Sequence, residues 1–230
     1  MLKLLNDFLS LFFPNNCLAC GNSLYDNEKT ICTSCLFYLP KTDFHLDKDN
    51  DLSKVFWGRA QLENVTACFT YGKGGKVQNL IHQLKYRGKK EIGIFFGNYY
   101  GKILSQSQHF NTLDYILPVP LHEKKQRKRG FNQSEIFAQG LSDSMNIPID
   151  IKALTRTISS QTQTKKSRFD RWKNVSEIFL VKNYDFLENK HILLVDDVIT
   201  TGATIEACYH ALKEISGVKV SVAAIAYAKK

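Results

Sequence analysis

Apolar residues along this chain follow two rhythms. NVTACFTY (64–71) reads as a strand, DYILPV (114–119) as a short apolar strand, HILLVD (191–196) as a buried strand and VKVSVAAIAYA (218–228) as a closing strand. Helical spacing runs over about 75–86, 91–105, 131–145 and 203–215. Strands that alternate with helices predict an α/β domain over residues 62–230. Within it, 156–179 is polar, basic and weakly patterned, and the stretch after 119 is a strongly basic loop.

The chain start behaves differently. In MLKLLNDFLSLFF, Leu5, Phe8, Leu9 and Phe12 fall on one helical face, and Pro14 ends the run. Lys3, Asn6 and Asp7 interrupt it, and it is too short to span a bilayer. A helix packed on its own domain fits better than a membrane anchor, because the polar face has few basic residues. The small-residue cleavage site of a signal peptide is missing, so a reducing, cytoplasmic compartment without disulfides is expected. Residues 41–61 are polar and acidic early on and read as a linker or an irregular wrap. Three parts follow: 1–40, 41–61 and 62–230.

Composition adds one fact. Lys and Arg exceed Asp and Glu by 31 − 22 = +9 in 230 residues, while 43% of the chain is apolar. A globular body with a basic surplus points to an anionic partner: a phosphate-bearing ligand, nucleic acid or a membrane surface.

Four of the six cysteines sit in the loop-rich segment 14–40. Cys17-x-x-Cys20 and Cys32-x-x-Cys35 are two hairpins eleven residues apart. Two thiolates from each would complete a tetrahedral structural zinc site with no open position. Four ordinary buried cysteines is the bland alternative, and a redox pair would need only one hairpin beside a βα unit. The segment is too short for its own core, so metal should fold it into a small zinc-ribbon-like module. Cys68 and Cys208 lie in apolar patterns and read as core residues.

The richest chemistry lies in ILLVDDVITTGAT (192–204). Asp196 and Asp197 stand at the carboxyl end of the predicted strand, and Thr200, Thr201, Gly202, Ala203 and Thr204 turn into the next helix. Backbone N–H groups at a helix start, with hydroxyls and a glycine, make a cradle for a phosphate dianion. Acids just before it are placed to grip ribose hydroxyls.

This run resembles the phosphoribosyl pyrophosphate signature of type I phosphoribosyltransferases. LKYRG (84–88), LPVPLHEKKQRKRGFNQ (117–133) and Arg156…Gln163…Arg171-x-x-Asn174 extend the likeness to the ComF family of competence-associated proteins, which join a four-cysteine module to a phosphoribosyltransferase domain. Lys166 departs from the pattern, where an apolar residue is usual. The resemblance implies a parallel sheet with helices on both faces. It implies that 200–204 bind the 5′-phosphate, that Asp196 and Asp197 hold the ribose and its magnesium, and that the turn at Val119-Pro120 faces pyrophosphate. Residues 156–174 would form a hood, with Arg156 and Arg171 as anion contacts.

Two basic stretches exceed what a pyrophosphate needs. One holds Lys124, Lys125, Arg127, Lys128 and Arg129; the other, 165–173, holds Lys165, Lys166, Arg168, Arg171 and Lys173. Either they are solvated faces, or a single-stranded DNA tracks across them with Phe131, Phe169 and Trp172 stacking on bases. His122, beside the first stretch, is either a proton carrier or a scaffold. The ComF resemblance implies DNA handling during transformation, with other competence proteins as partners. A working phosphoribosyltransferase with a nitrogen acceptor is the alternative, and a ligand-sensing regulator would use the same site. A glutamine-dependent amidotransferase is disfavoured by the lack of a cysteine at the chain start.

Overall fold

The computed structural model describes residues 15–156, 178–182 and 185–229. Strands β1 (Val65–Thr70), β2 (Tyr115–Pro118), β5 (His191–Ile199) and β6 (Lys219–Tyr227) form a parallel sheet in the order β1-β6-β5-β2. Two three-residue strands, β3 (Leu154–Arg156) and β4 (Phe179–Val181), pair antiparallel beside it. The helices are α1 (Thr33–Tyr38), α2 (Lys76–Tyr86), α3 (Lys90–Leu104), α4 (Glu123–Arg129), α5 (Gln133–Met145) and α6 (Ala203–Leu212).

The central strands read as unbroken apolar runs because both sheet faces are covered. Leu193 and Val195 of β5 join Leu84 of α2, Phe96 of α3 and Phe137 of α5 in one core. Ile192 and Leu194 face the other way, onto Ile205, Cys208 and Leu212 of α6. Helices therefore lie on both faces, as the family resemblance implied.

α3 and α5 cross very closely. Gly93, Gly97 and Gly101 fall four apart on α3, and Gly97 meets Gly140 of α5. A Cβ on Gly97 would sit 2.7 Å from the Gly140 Cα, and one on Gly140 would sit 2.8 Å from the Asn98 nitrogen. Beside this crossing the Tyr100 hydroxyl is hydrogen-bonded to the Thr66 hydroxyl, tying α3 to β1.

Several expectations need correction. β5 runs on to Ile199, so Asp196 and Asp197 lie within the strand and not at its end. The basic stretch after 119 is not a loop: 123–129 form α4, with no buried residue. Apolar periodicity could not reveal it. Its limits come from the His122 Nδ1, which accepts the Lys124 N–H at 3.2 Å, and from Gly130, left-handed at φ 79°. His122 is thus a capping residue. The weakly patterned 156–179 region borders the β3–β4 pair, while residues 157–177, including Arg171 and Trp172, lie outside the described residues, as does the helix expected at the chain start.

Residues 41–61 fold along the sheet edge. Thr42 donates its N–H to the Cys68 carbonyl at 3.0 Å. The Asn50 amide nitrogen donates to the carbonyls of Asp47 (2.7 Å) and Val65 (2.9 Å), and its oxygen accepts the Leu52 and Ser53 N–H groups. Leu52 and Phe56 are buried in the α6-side core.

Gly97→Ala should destabilise the protein by about 2 kcal/mol, since overpacking against rigid backbone exceeds the helix propensity it gains. Urea unfolding of parent and variant measures this; equal stability would mean the helices separate freely.

Candidate functional site

β2 hands the chain to α4 and α5 on one side of the sheet, and β5, its neighbour, hands it to α6 on the other. Such a reversal leaves a crevice beyond the carboxyl ends of the two strands, where open α/β sheets bind ligands. Here it is a cavity of about 230 Å³. Val119, Pro120 and Leu121 form one wall, Asp196, Asp197 and Val198 the floor, and Thr204 the start of α6.

The loop after β2 is fixed from within. Asn132, almost fully buried, donates its amide to the Val119 carbonyl at 2.9 Å and accepts the Ser134 N–H at 3.1 Å as the cap of α5. Ser134 then donates its hydroxyl to Asp196 Oδ1 at 2.9 Å. That same oxygen accepts the Asp197 N–H at 2.8 Å. Burial pushes the Asp196 carboxyl up, to about 7, and the Asp197 charge adds to it. Asp197 is paired with the Lys85 ammonium at 2.8 Å, both side chains being largely buried.

Cations line the rest. Lys125 and Arg129 of α4 and Arg156 of β3 all reach the cavity. Arg129 is held by Gln133 Oε1 at 2.6 Å and lies 5.2 Å over the Tyr86 ring. Arg156 lies 5.4 Å over the Phe179 ring. Two acids facing Lys85, Lys125, Arg129 and Arg156 can hold a small polyhydroxylated anion, the acids taking hydroxyls and the cations taking charge.

Of the residues expected at a site, Val119, Pro120, Lys125, Arg129, Arg156, Asp196, Asp197 and Thr204 line this one cavity. Thr200, Thr201, Gly202 and Ala203 form the turn leading to Thr204, outside its lining. Lys124, Arg127 and Lys128 are exposed on α4, away from the cavity. Phe131 cannot serve as a stacking ring, because it is buried with Lys90 5.0 Å over its face. Sequence reasoning gave no role to Lys85, Asn132 or Ser134. The polar FNQS run at the head of an apolar-periodic helix was the available signal for the last two.

The four cysteines come together. The sulfurs of Cys17, Cys20, Cys32 and Cys35 all lie within 4.8 Å of one another, close to the spacing of a tetrahedral thiolate site. Backbone N–H groups of Cys32 and Ala19 point at the Cys17 sulfur at 3.2 and 3.4 Å. Burial and the Cys20 and Cys32 thiols push Cys35 up to about 12. Four thiols so close can all ionise only beside a cation, so the cluster is chemically suited to a metal ion. The module sits on α2: Gln83 donates to the Leu18 carbonyl at 2.7 Å, and Lys76 reaches the Cys35 sulfur at 3.4 Å. Cys68 and Cys208 are buried in the two cores, as expected. Among the described residues no helix is long and apolar enough to cross a membrane.

Comparison with known proteins agrees with this architecture. The phosphoribosyl transferase domain family matches residues 132–230, which span α5 to β6. The fold is that of the phosphoribosyltransferase class. Over 192 residues, 82% of this chain, the sequence is 30% identical to the DNA utilization protein YhgH of Shigella flexneri, covering 80% of that protein. It is 33% identical to competence protein F of Haemophilus influenzae over 49% of this chain and 50% of that one. It is 29% identical to competence protein ComFC of Bacillus subtilis over 64% of this chain and 57% of that one. The chain belongs to the ComF family.

Elemental analysis of the purified protein should find about one metal ion per chain, and Cys32→Ser with Cys35→Ser should release it. The α/β body should still melt cooperatively in that variant. A metal-free parent would show that the thiols cluster for another reason.

Proposed function

We propose that the crevice binds a 5-phosphorylated ribose, with phosphoribosyl pyrophosphate and magnesium as ligand. On this reading the protein handles incoming single-stranded DNA in the cytoplasm during transformation, and zinc is the ion of the four-cysteine module. The observation that carries the ligand is the convergence of Asp196 and Asp197, the head of α6 and the cations Lys125, Arg129 and Arg156 on one cavity. The turn at 200–204 takes the 5′-phosphate on backbone N–H groups left open at the helix start. Asp196 and Asp197 take the ribose, and the Val119–Leu121 loop faces the pyrophosphate. Magnesium, when bound, supplies charge neutralisation at the pyrophosphate oxygens. Arg171 of the 156–174 hood completes the anion contacts.

The DNA reading draws on the relatives' names and on α4. Its five cations face one acid, and the Arg127–Glu123 pair, 3.5 Å apart and well exposed, neutralises little. Lys124, Arg127 and Lys128 form the outer part of a polyanion path, with Trp172 as its stacking ring and other competence proteins as neighbours.

A second reading, catalysed transfer of the phosphoribosyl group to a nitrogen acceptor, is favoured by the same cations. The C1–O bond to pyrophosphate would break as the new C1–N bond forms. Lys125 and Arg129 would neutralise the charge on the departing pyrophosphate, and Asp196 and Asp197 would hold the ribose in line.

Phosphoribosyl pyrophosphate with magnesium should raise the melting temperature, because a ligand of the native state stabilises by mass action, about 2.7 kcal/mol at 100 times its Kd. Asp196→Asn with Asp197→Asn should abolish the shift while leaving a cooperative fold; an equal shift in the variant means the acids do not hold the ligand. Single-stranded DNA binding should weaken steeply with salt, each neutralised phosphate adding a log–log slope of about −0.7. Lys124→Ala, Arg127→Ala and Lys128→Ala together should flatten that slope by about two and keep the phosphoribosyl pyrophosphate shift. Trp172→Ala should weaken DNA binding and barely change the slope. Undetectable DNA binding at low salt would move the transferase reading ahead.

A further inference from the structure

The phosphate turn is braced from behind by the segment that precedes the sheet. Arg59 lies 142 residues from Thr201, yet its Nη1 donates to the Thr201 carbonyl at 2.8 Å and to the Val55 carbonyl at 3.1 Å. Its Nη2 and Nε both donate to Glu206 Oε2, at 2.5 and 3.2 Å. Phe56 fills the space behind Gly202, where a Cβ would come 2.7 Å from the Phe56 ring, and Gly202 itself is left-handed at φ 75°. Val55, Phe56 and Arg59 therefore clamp the side of the turn opposite its exposed residues Thr200, Thr201, Ala203 and Thr204.

Two consequences follow from elementary chemistry. In a trans peptide the C=O and the next N–H point in opposite directions. Drawing the Thr201 carbonyl onto Arg59 turns the Gly202 N–H away from Arg59, toward the open side where a phosphate would rest. Glu206 stands in the first turn of α6, where a carboxylate favours the helix but repels an anion at the same end. The Arg59 fork covers that charge, and the pair is sheltered, with 34% and 17% of the two side chains exposed.

We propose that Arg59 is a positioning residue of the phosphate turn, orienting the Thr201–Gly202 peptide and cancelling the Glu206 charge so that a phosphate dianion is accepted. The inference rests on the reading of 200–204 as the phosphate cradle. It gives 41–61 a functional part, since Arg59 works on the cradle without touching the ligand.

Calorimetric titration of the full chain with ribose 5-phosphate tests it. Arg59→Ala should weaken binding about tenfold or more, equivalent to one power of ten in Kd. Arg59→Lys, which keeps the charge without the two-pronged geometry, should fall between variant and parent. Arg59→Ala with Glu206→Gln should recover part of the loss, because the uncompensated carboxylate is gone. A purely structural role would make the double variant no better than Arg59→Ala, and that result overturns the proposal. So does an Arg59→Ala protein that binds as the parent does. If Arg59→Ala fails to fold, Arg59→Lys binding as tightly as the parent overturns it instead. A parent that binds no ribose 5-phosphate overturns the cradle reading and this inference together, and is told apart because Arg59 is then in place.

Discussion

Gly97 and Gly140 let two helix backbones touch, and the geometry of the crevice depends on that contact. α5 can pack backbone to backbone on α3 only because neither helix offers a side chain at the crossing. Its first turn then falls level with the end of β2, where Asn132 holds the Val119 carbonyl and Ser134 reaches Asp196. A close helix crossing in the core thus lies behind the residues that hold the floor and one wall of the site.

How much of this was legible in the sequence depends on which signal carried it. The four strands of the parallel sheet were readable because strands buried on both faces are apolar runs, and HILLV and VAAIA are the clearest of them. The pairing of the cysteines was readable because CxxC spacing is local. α4 was not, because a helix with no buried side chain has no apolar stripe, and its ends are set by one imidazole and one glycine. The Arg59 clamp was beyond reach for a different reason. Its partners are 142 and 147 residues away, and nothing in a polar segment says which distant turn it will brace.

The charge pattern of the crevice also bears on what enters it. On the proposed reading, Asp196 and Asp197 meet the ribose hydroxyls. A free phosphoribose presents two hydroxyls there, whereas an internal nucleotide of a DNA strand presents none at the 2′ position and a phosphodiester at the 3′ position. A phosphodiester pressed on two carboxylates costs Coulomb energy that Lys85, already paired with Asp197, cannot fully offset. On that same reading the small ligand belongs inside and a polymer outside, along α4, where five cations stand with Glu123 as the one acid of the helix.

α2 connects the two chemical centres of the molecule. Lys76 at its start reaches the Cys35 sulfur, Gln83 holds the Leu18 carbonyl, and Lys85 near its end pairs with Asp197. Nine residues of helix separate the two lysines, about 14 Å along the axis. Leu80 and Leu84, on the same helix, share a core with Ile31, Leu39 and the buried Cys17 and Cys35. One rigid element therefore touches both the four-cysteine module and the crevice. An ion held by the thiol cluster would steady the apolar partners of α2, and α2 carries the ammonium that pairs with Asp197. Loss of that ion would be felt in the crevice as a displaced Lys85, leaving Asp196 and Asp197 with less positive charge beside them.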